Sequence, residues 1–140
     1  MLDLSSFQSA IGQLETSLSY VNSQMAKEDV KLGEQLRAAS IQAFEFTYEL
    51  TWKMLKRHLE MTEANPALID EFSFQDLIRT GNERGLLLSD WEIWKVFRTA
   101  RGTTSHTYNQ VKAIEVAELI PDFLKEAQFL FKKLQSTHNA

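Results

Sequence analysis

Cysteine is absent from the 140-residue chain, which excludes disulfide scaffolds, thiol nucleophiles and cysteine-ligated zinc or iron-sulfur sites. Five glycines and two prolines are too few for a turn-rich all-β fold, so long helices are expected and strands are not. No apolar run approaches the roughly 20 residues that span a bilayer, and Met1 to Ser6 lack a basic start followed by an apolar stretch. A cytoplasmic domain without a membrane role is therefore expected. Nor is there an excess of positive charge. Fifteen basic and 19 acidic side chains leave a net charge of −4, which argues against DNA or RNA being held through overall charge. What the chain has is 44% apolar residues, enough for one domain over residues 1–140 with its own core.

The apolar pattern divides into four or five helices. Leu4, Phe7, Ile11, Leu14, Leu18, Val21 and Met25 alternate steps of three and four, which predicts a first helix with one sticky stripe. A polar break from Ala26 to Val30 precedes a second helix over about Leu32 to Met61. It bears two seams, Ile41, Phe44, Tyr48 and Leu55, and Ala39, Ala43, Phe46, Leu50 and Met54, and a helix apolar on two sides is packed on two sides. Thr62 to Phe72 reads as a loop around Asn65-Pro66. Ser73 with Asp76 predicts the start of a short third helix ending near Gly81 or Gly85. Ser89 with Glu92 repeats the capping pattern for a fourth, with Trp91, Trp94 and Phe97 inside. The last helix is expected from about Val111 to Leu134, kinked at Pro121, with the stripe Ile114, Ala117, Ile120, Leu124, Phe129 and Leu130 and a fraying tail from Gln135 to Ala140.

Several chemistries lack their residues. There is no P-loop, no Glu-x-x-His pair for a di-iron bundle and no His-Glu-x-x-His zinc pattern, so no metal or cofactor is expected in this chain. Nucleotidyl transfer would need closely spaced aspartates for two magnesium ions, and the six aspartates include no Asp-x-Asp pair. Any such transfer needs a metal site from another chain.

One segment stands out. No acid occurs between Glu92 and Glu115, whereas Lys95, Arg98, Arg101 and Lys112 are basic, a local patch suited to phosphate. Within it, Arg101-Gly-Thr-Thr-Ser-His-Thr-Tyr108 gathers a guanidinium, an imidazole, hydroxyls and a phenol. If the helix continues, Ser105 and Tyr108 lie within about 40° of Arg101, and His106 falls about 140° from it. Two readings are open. In one, His106 moves a proton and Arg101 stabilises phosphate charge in metal-free phosphodiester chemistry, with a dimer supplying the second histidine. In the other, Arg101 pairs with an acid and His106 caps carbonyls at a helix end. Tyr108 is either a nucleotide acceptor or an amphipathic core residue. Glu45 and Glu49, one turn apart, either order Arg101 or form a solvated edge, with Lys53 as the other counter-charge. Trp91 and Trp94 are core residues or base-stacking partners, and His58 and His138 read as surface residues.

Ile41-Gln-Ala-Phe-Glu-Phe-Thr-Tyr-Glu-Leu-Thr-Trp-Lys-Met-Leu-Lys56, then Trp91 to Trp94 and Ser105-His-Thr-Tyr108, resemble the nucleotidyltransferase substrate-binding proteins of the HEPN superfamily. The resemblance runs from about Leu4 to Leu134. It implies an all-α, up-and-down bundle of four main helices with an additional short one, usually a homodimer with the motif near its cleft. It also implies a separately encoded minimal nucleotidyltransferase partner that uses magnesium and a nucleoside triphosphate, in a two-component or toxin-antitoxin pair. In such families the chain holds nucleotide or RNA phosphate, here through Arg98, Arg101, Ser105, His106 and Tyr108, with Glu45 and Glu49 in support. In toxin members the arginine and histidine of an Arg-x4-His-x-Tyr motif cleave RNA without metal, which implies Arg101 and His106. The tyrosine can accept adenylyl groups, which implies Tyr108. The sequence departs from the superfamily at Gly102, where asparagine, aspartate or histidine is common, and this weighs toward binding over cleavage.

Overall fold

The computed structural model describes residues 1–138, all of whose regular elements are helical. Four long helices form the body: α1 (Ser5–Val21), α3 (Val30–Thr62), α6 (Trp91–Thr103) and α7 (Gln110–His138). Three short ones, α2 (Gln24–Glu28), α4 (Ala67–Asp70) and α5 (Phe74–Glu83), fill the connections, and a 3-10 turn at Thr104–His106 links α6 to α7. This is the all-helical bundle that periodicity and resemblance imply. No helix among the described residues is long and apolar enough to cross a membrane.

α3 is central, with α1 along one side and α7 along another, while α6 docks on α7 and α5 bridges α3 and α6. At their junction Phe123 of α7 meets Phe44 of α3 and Phe97 of α6 edge-on, each at 5.2 Å between ring centres, and Trp94 packs on Phe97 at 5.5 Å. Edge-to-face packing of this kind adds about 1 kcal/mol per pair to the burial of the rings. It fixes α6, and hence Arg98 and Arg101, relative to α3.

Local chemistry explains most helix ends. Ser73 and Asp76 form the expected reciprocal capping box on α5. Gly85, with φ of 72°, lets the chain leave α5, and Leu86 N–H donates to the Gly81 carbonyl at 2.9 Å. A Cβ at Gly81 would lie 2.9 Å from Leu55 Cδ2, so this glycine permits the close approach of α5 to α3.

Other expectations need correction. The first helix stops at Val21, because Ser23 caps α2 through Ala26 N–H and Asp29 caps α3 through Leu32 N–H. Met25 is therefore exposed, and the expected polar break contracts to the single residue Asp29 between α2 and α3. Of the two α3 seams, the first is buried, whereas Phe46 of the second is 62% exposed. Asp90, one residue after Ser89, caps α6 by accepting from Ile93 N–H. The expected loop after α3 contains α4, whose Ile69 is buried.

The buried stripe of α7 is Ala113, Val116, Ile120, Phe123, Ala127, Leu130 and Leu134; Ile114 is exposed. Glu126 lies in that stripe. It is fully buried, and its carboxylate accepts Leu88 N–H at 2.6 Å and Ser89 N–H at 3.0 Å, so the two donors offset part of its desolvation. This breaks the apolar pattern and explains why the sequence stripe drifts.

The helix also runs past Leu134 to His138, so Gln135 to His138 do not fray, and residues 139–140 of the expected tail lie outside the described residues. His58 and His138 are likewise not surface residues: each is 6% exposed, and their rings meet at 2.9 Å between His58 Nδ1 and His138 Nε2.

Candidate functional site

The site forms where α6 ends against the middle of α3. Trp94, Phe97 and Ala100 turn one side of α6 into the core, which sends Arg98 and Arg101 toward α3 and the surface. Arg101 Nη1 lies 3.6 Å from Glu45 Oε2, and its Nε lies 3.3 Å from Glu49 Oε1. Glu49 also accepts the indole N–H of Trp52 at 3.1 Å. Arg101 Nη1 donates to Thr104 Oγ1 at 3.0 Å, and that hydroxyl donates to the Arg101 carbonyl at 2.7 Å, so the guanidinium is held from two helices.

Two carboxylates on one guanidinium leave this cluster formally one charge negative. Arg98, one turn earlier on α6, has its guanidinium carbon 4.9 Å from the centre of the Phe74 ring and, among the described residues, makes no ion pair with either carboxylate. Beneath them lies Tyr48. Burial pushes its phenol up to about 12, with Glu49 adding to the shift and Arg98 and Arg101 opposing it, so it stays neutral at physiological pH.

Among the described residues two buried side-chain donors are left without a hydrogen-bond acceptor, the Trp94 indole N–H in the core and the Arg101 Nε–H, which lies near Glu49 without hydrogen-bond geometry to it. A buried donor without a partner costs about 1–3 kcal/mol, part of which the Glu49 carboxylate at 3.3 Å offsets, and a ligand meets Arg101 at the exposed third of its side chain and not at Nε.

The rest of the motif is laid out differently from a continuous helix. α6 gives way to the tighter turn at Thr104–His106, so Arg101, Ser105 and Tyr108 do not share a helical face. Ser105 is exposed and donates to the Gly102 carbonyl at 3.2 Å. His106 is exposed beside Tyr108, their rings edge-on at 6.2 Å, and Tyr108 is 83% exposed, which removes its core reading. Among the described residues no hydrogen bond or ion pair joins Arg101 to His106. The structure thus brings Arg101, Glu45 and Glu49 together and places Ser105, His106 and Tyr108 on the neighbouring turn.

Three contributors were not singled out from sequence. Thr104 locks Arg101 through its hydroxyl, and Trp52 holds Glu49; both follow the i, i+3 spacing from the residue they touch. Asn109 caps α7, accepting from Val111 N–H at 2.9 Å and Lys112 N–H at 3.3 Å, and asparagine just before an apolar-periodic run was its signal. Among the described residues no group of three or more potential metal ligands forms. A Cβ at Gly102 would meet nothing within 4 Å, so the small residue is not demanded by packing.

Comparison with known proteins bears on this arrangement. The chain matches the family described as nucleotidyltransferase substrate binding protein like over residues 2–136. It is 42% identical over 102 residues to a protein of Haemophilus influenzae named probable ribonuclease HepT, covering 73% of this chain and 69% of that one. A solved structure from the same organism, described as revealing the fold of a substrate binding domain of a nucleotidyltransferase, superposes with a TM-score of 0.89 at 35% identity. It covers 95% of this chain and 99% of that one. With a family match over nearly its whole length and the same helical bundle, the chain belongs to the nucleotidyltransferase substrate-binding protein family.

Proposed function

We propose that this chain is the nucleotide- or RNA-phosphate-binding subunit of a two-component, cytoplasmic nucleotidyltransferase system. The observation that carries the reading is Arg101, its side chain about one-third exposed and its guanidinium held in place by Glu45, Glu49 and Thr104, within the stretch between Glu92 and Glu115 that has no acid in sequence. A phosphate oxygen meets Arg101 where its side chain is exposed. Arg98 and Lys112 supply charge that Arg101, already neutralised by carboxylates, does not. The partner, a minimal nucleotidyltransferase with its own aspartates, brings the magnesium and the nucleoside triphosphate, because this sequence has no Asp-x-Asp pair to hold metal.

Tyr108 suits a second task in the same system. A phenol this exposed is open to an adenylyl group delivered by the partner, and co-expression followed by mass spectrometry is expected to find AMP on Tyr108. An active partner that leaves it unmodified rules this out.

The working form is a homodimer. Between α6 and α7 a groove of about 400 Å³ has an apolar floor of Val96, Val116 and Leu119 with Lys95 and Glu115 at its rim. Both charge signs on one face suit a two-fold contact, in which each copy meets the other's opposite charge. Light scattering is expected to report a dimer that Val96→Glu dissociates.

The binding reading is tested by titrating the protein with a fluorescent adenine nucleotide and with a short single-stranded RNA. Arg101→Ala is expected to weaken both at least tenfold, about 1.4 kcal/mol, with the fold intact. Unchanged affinity overturns it. The second reading, a metal-independent ribonuclease toxin, draws on the relative named probable ribonuclease and on the exposure of His106. It requires that the chain cleave RNA in the presence of a chelator and that His106→Ala abolish the cleavage.

A further inference from the structure

Far from the site, at the opposite end of α7, three parts of the chain meet in a buried polar contact. Leu2 N–H donates to His138 Nδ1 at 3.4 Å, and His138 Nε2 lies 2.9 Å from His58 Nδ1. All three residues are under 9% exposed. The protons can be placed from these contacts. A nitrogen that accepts a backbone N–H carries no proton, so His138 holds its single proton on Nε2 and is neutral. That proton points to His58 Nδ1, which must accept it, so His58 is neutral with its own proton on Nε2.

We infer that the Leu2–His138–His58 chain is an acid-sensitive clasp, closed only while both imidazoles are neutral, that fastens the N-terminal residues and the last turn of α7 to α3. The geometry makes the switch. A proton added to His138 at Nδ1 turns the acceptor of Leu2 N–H into a donor, and one added to His58 at Nδ1 sets two N–H groups against each other at 2.9 Å.

Among the described residues no carboxylate pairs with either ring. Along α3 the neighbours of His58 at three and four residues are Met54, Leu55, Met61 and Thr62, and along α7 those of His138 are Leu134 and Gln135. The carboxylates of the surrounding elements are engaged elsewhere: Asp3 by Ser5 N–H and Oγ, Glu63 by Arg84, and Asp70 by Lys56. Burial, and then the charge His138 would carry, hold His58 below the ordinary histidine value of 6.5. The sign follows from linkage. The unfolded chain binds a proton more readily than the folded one, so stability is full above 6.5 and declines as pH falls below it. Leu2 and Leu4, buried at 8% and 5%, are released with the clasp.

The test uses the full chain carrying His106→Ala, in which the pair are the only histidines. Imidazole nitrogen NMR near pH 7.5 is expected to show both rings neutral with the proton on Nε2, and the protection factors against hydrogen exchange at Leu2 and the last turn of α7, relative to the base-catalysed intrinsic rate, to fall as pH falls toward about 5.5. The melting temperature is expected to drop by roughly 4 °C more over this interval than that of the further variant His58→Leu/His138→Leu, which has no histidine left to titrate. A ring protonated on Nδ1 near pH 7.5, protection factors at Leu2 that do not change with pH, or equal acid sensitivity of the two proteins overturns the clasp. The NMR result stands whether or not the double variant folds.

Discussion

The two ends of α7 carry the same residue type in opposite circumstances. At its end His138 is buried, and both ring nitrogens are hydrogen-bonded. Just before its start His106 is exposed, packed only edge-on against Tyr108, beside an arginine with one donor unsatisfied. The same division separates the carboxylates: Glu126 is fully buried with two backbone donors, whereas Glu45 and Glu49 share one guanidinium with about a third of each side chain exposed. Where every polar group is matched, the chain holds its shape. Where charged groups are about one-third exposed and reachable, something else can bind.

The sharpest test of the matched region is Glu126→Ala. Removing the carboxylate orphans Leu88 N–H and Ser89 N–H and leaves a cavity, so urea unfolding is expected to show a loss of about 3 kcal/mol. A loss under about 1 kcal/mol would put Glu126 in the same class as the exposed pair and dissolve the contrast. The pH profile adds a sign. Burial raises the Glu126 carboxyl above 4.5, so its stabilising contribution is full below 4.5 and falls as pH rises through the raised value, opposite to His58. Glu126→Ala is expected to remove the first trend and keep the second.

On the open side, Arg101→Ala sharpens the comparison from the other direction. Its ion pairs are screened by solvent, so unfolding is expected to shift by less than about 1 kcal/mol while nucleotide affinity falls at least tenfold. A variant that loses stability without losing affinity would make Arg101 a structural residue.

Much of this division was legible in the sequence, and the reasons for the rest are physical. Helical periodicity located α1, α3, α5, α6 and α7 because amphipathic stripes record which side of a helix is wet. The acid-free interval around Arg101 picked out the surface now seen at the end of α6, and one-turn spacing made Glu45 and Glu49 candidates for Arg101. Burial of polar residues was not legible. Glu126 and His138 look like surface positions in a helical pattern, and only partners 37 and 136 residues away make their burial possible. Spacing along an assumed continuous helix also failed after Thr103, because the turn at Thr104–His106 redirects the chain before His106 and Tyr108.

Glu49→Gln probes how tightly the open site is tuned. A glutamine still accepts the Trp52 indole N–H but no longer draws on the Arg101 charge, so phosphate affinity is expected to rise about threefold, or about 0.7 kcal/mol. Weaker binding would show that the carboxylate's hold on Arg101 matters more than the charge it cancels.

The smallest effect belongs to Gly102. It lies in the last turn of α6 without positive φ, and nothing stands within 4 Å of where a Cβ would be. Gly102→Ala is therefore expected to stabilise the chain by about 0.5 kcal/mol, less than a mid-helix replacement because the turn is terminal. Gly102→Asn adds a polar side chain in the same open space. If cleavage of RNA appears in Gly102→Asn but not in Gly102→Ala, the missing amide is what separates a binding site from a cutting one. If neither cleaves, the reason lies in the separation of Arg101 from His106 within one chain, and the contrast between the two ends of α7 is one of binding alone.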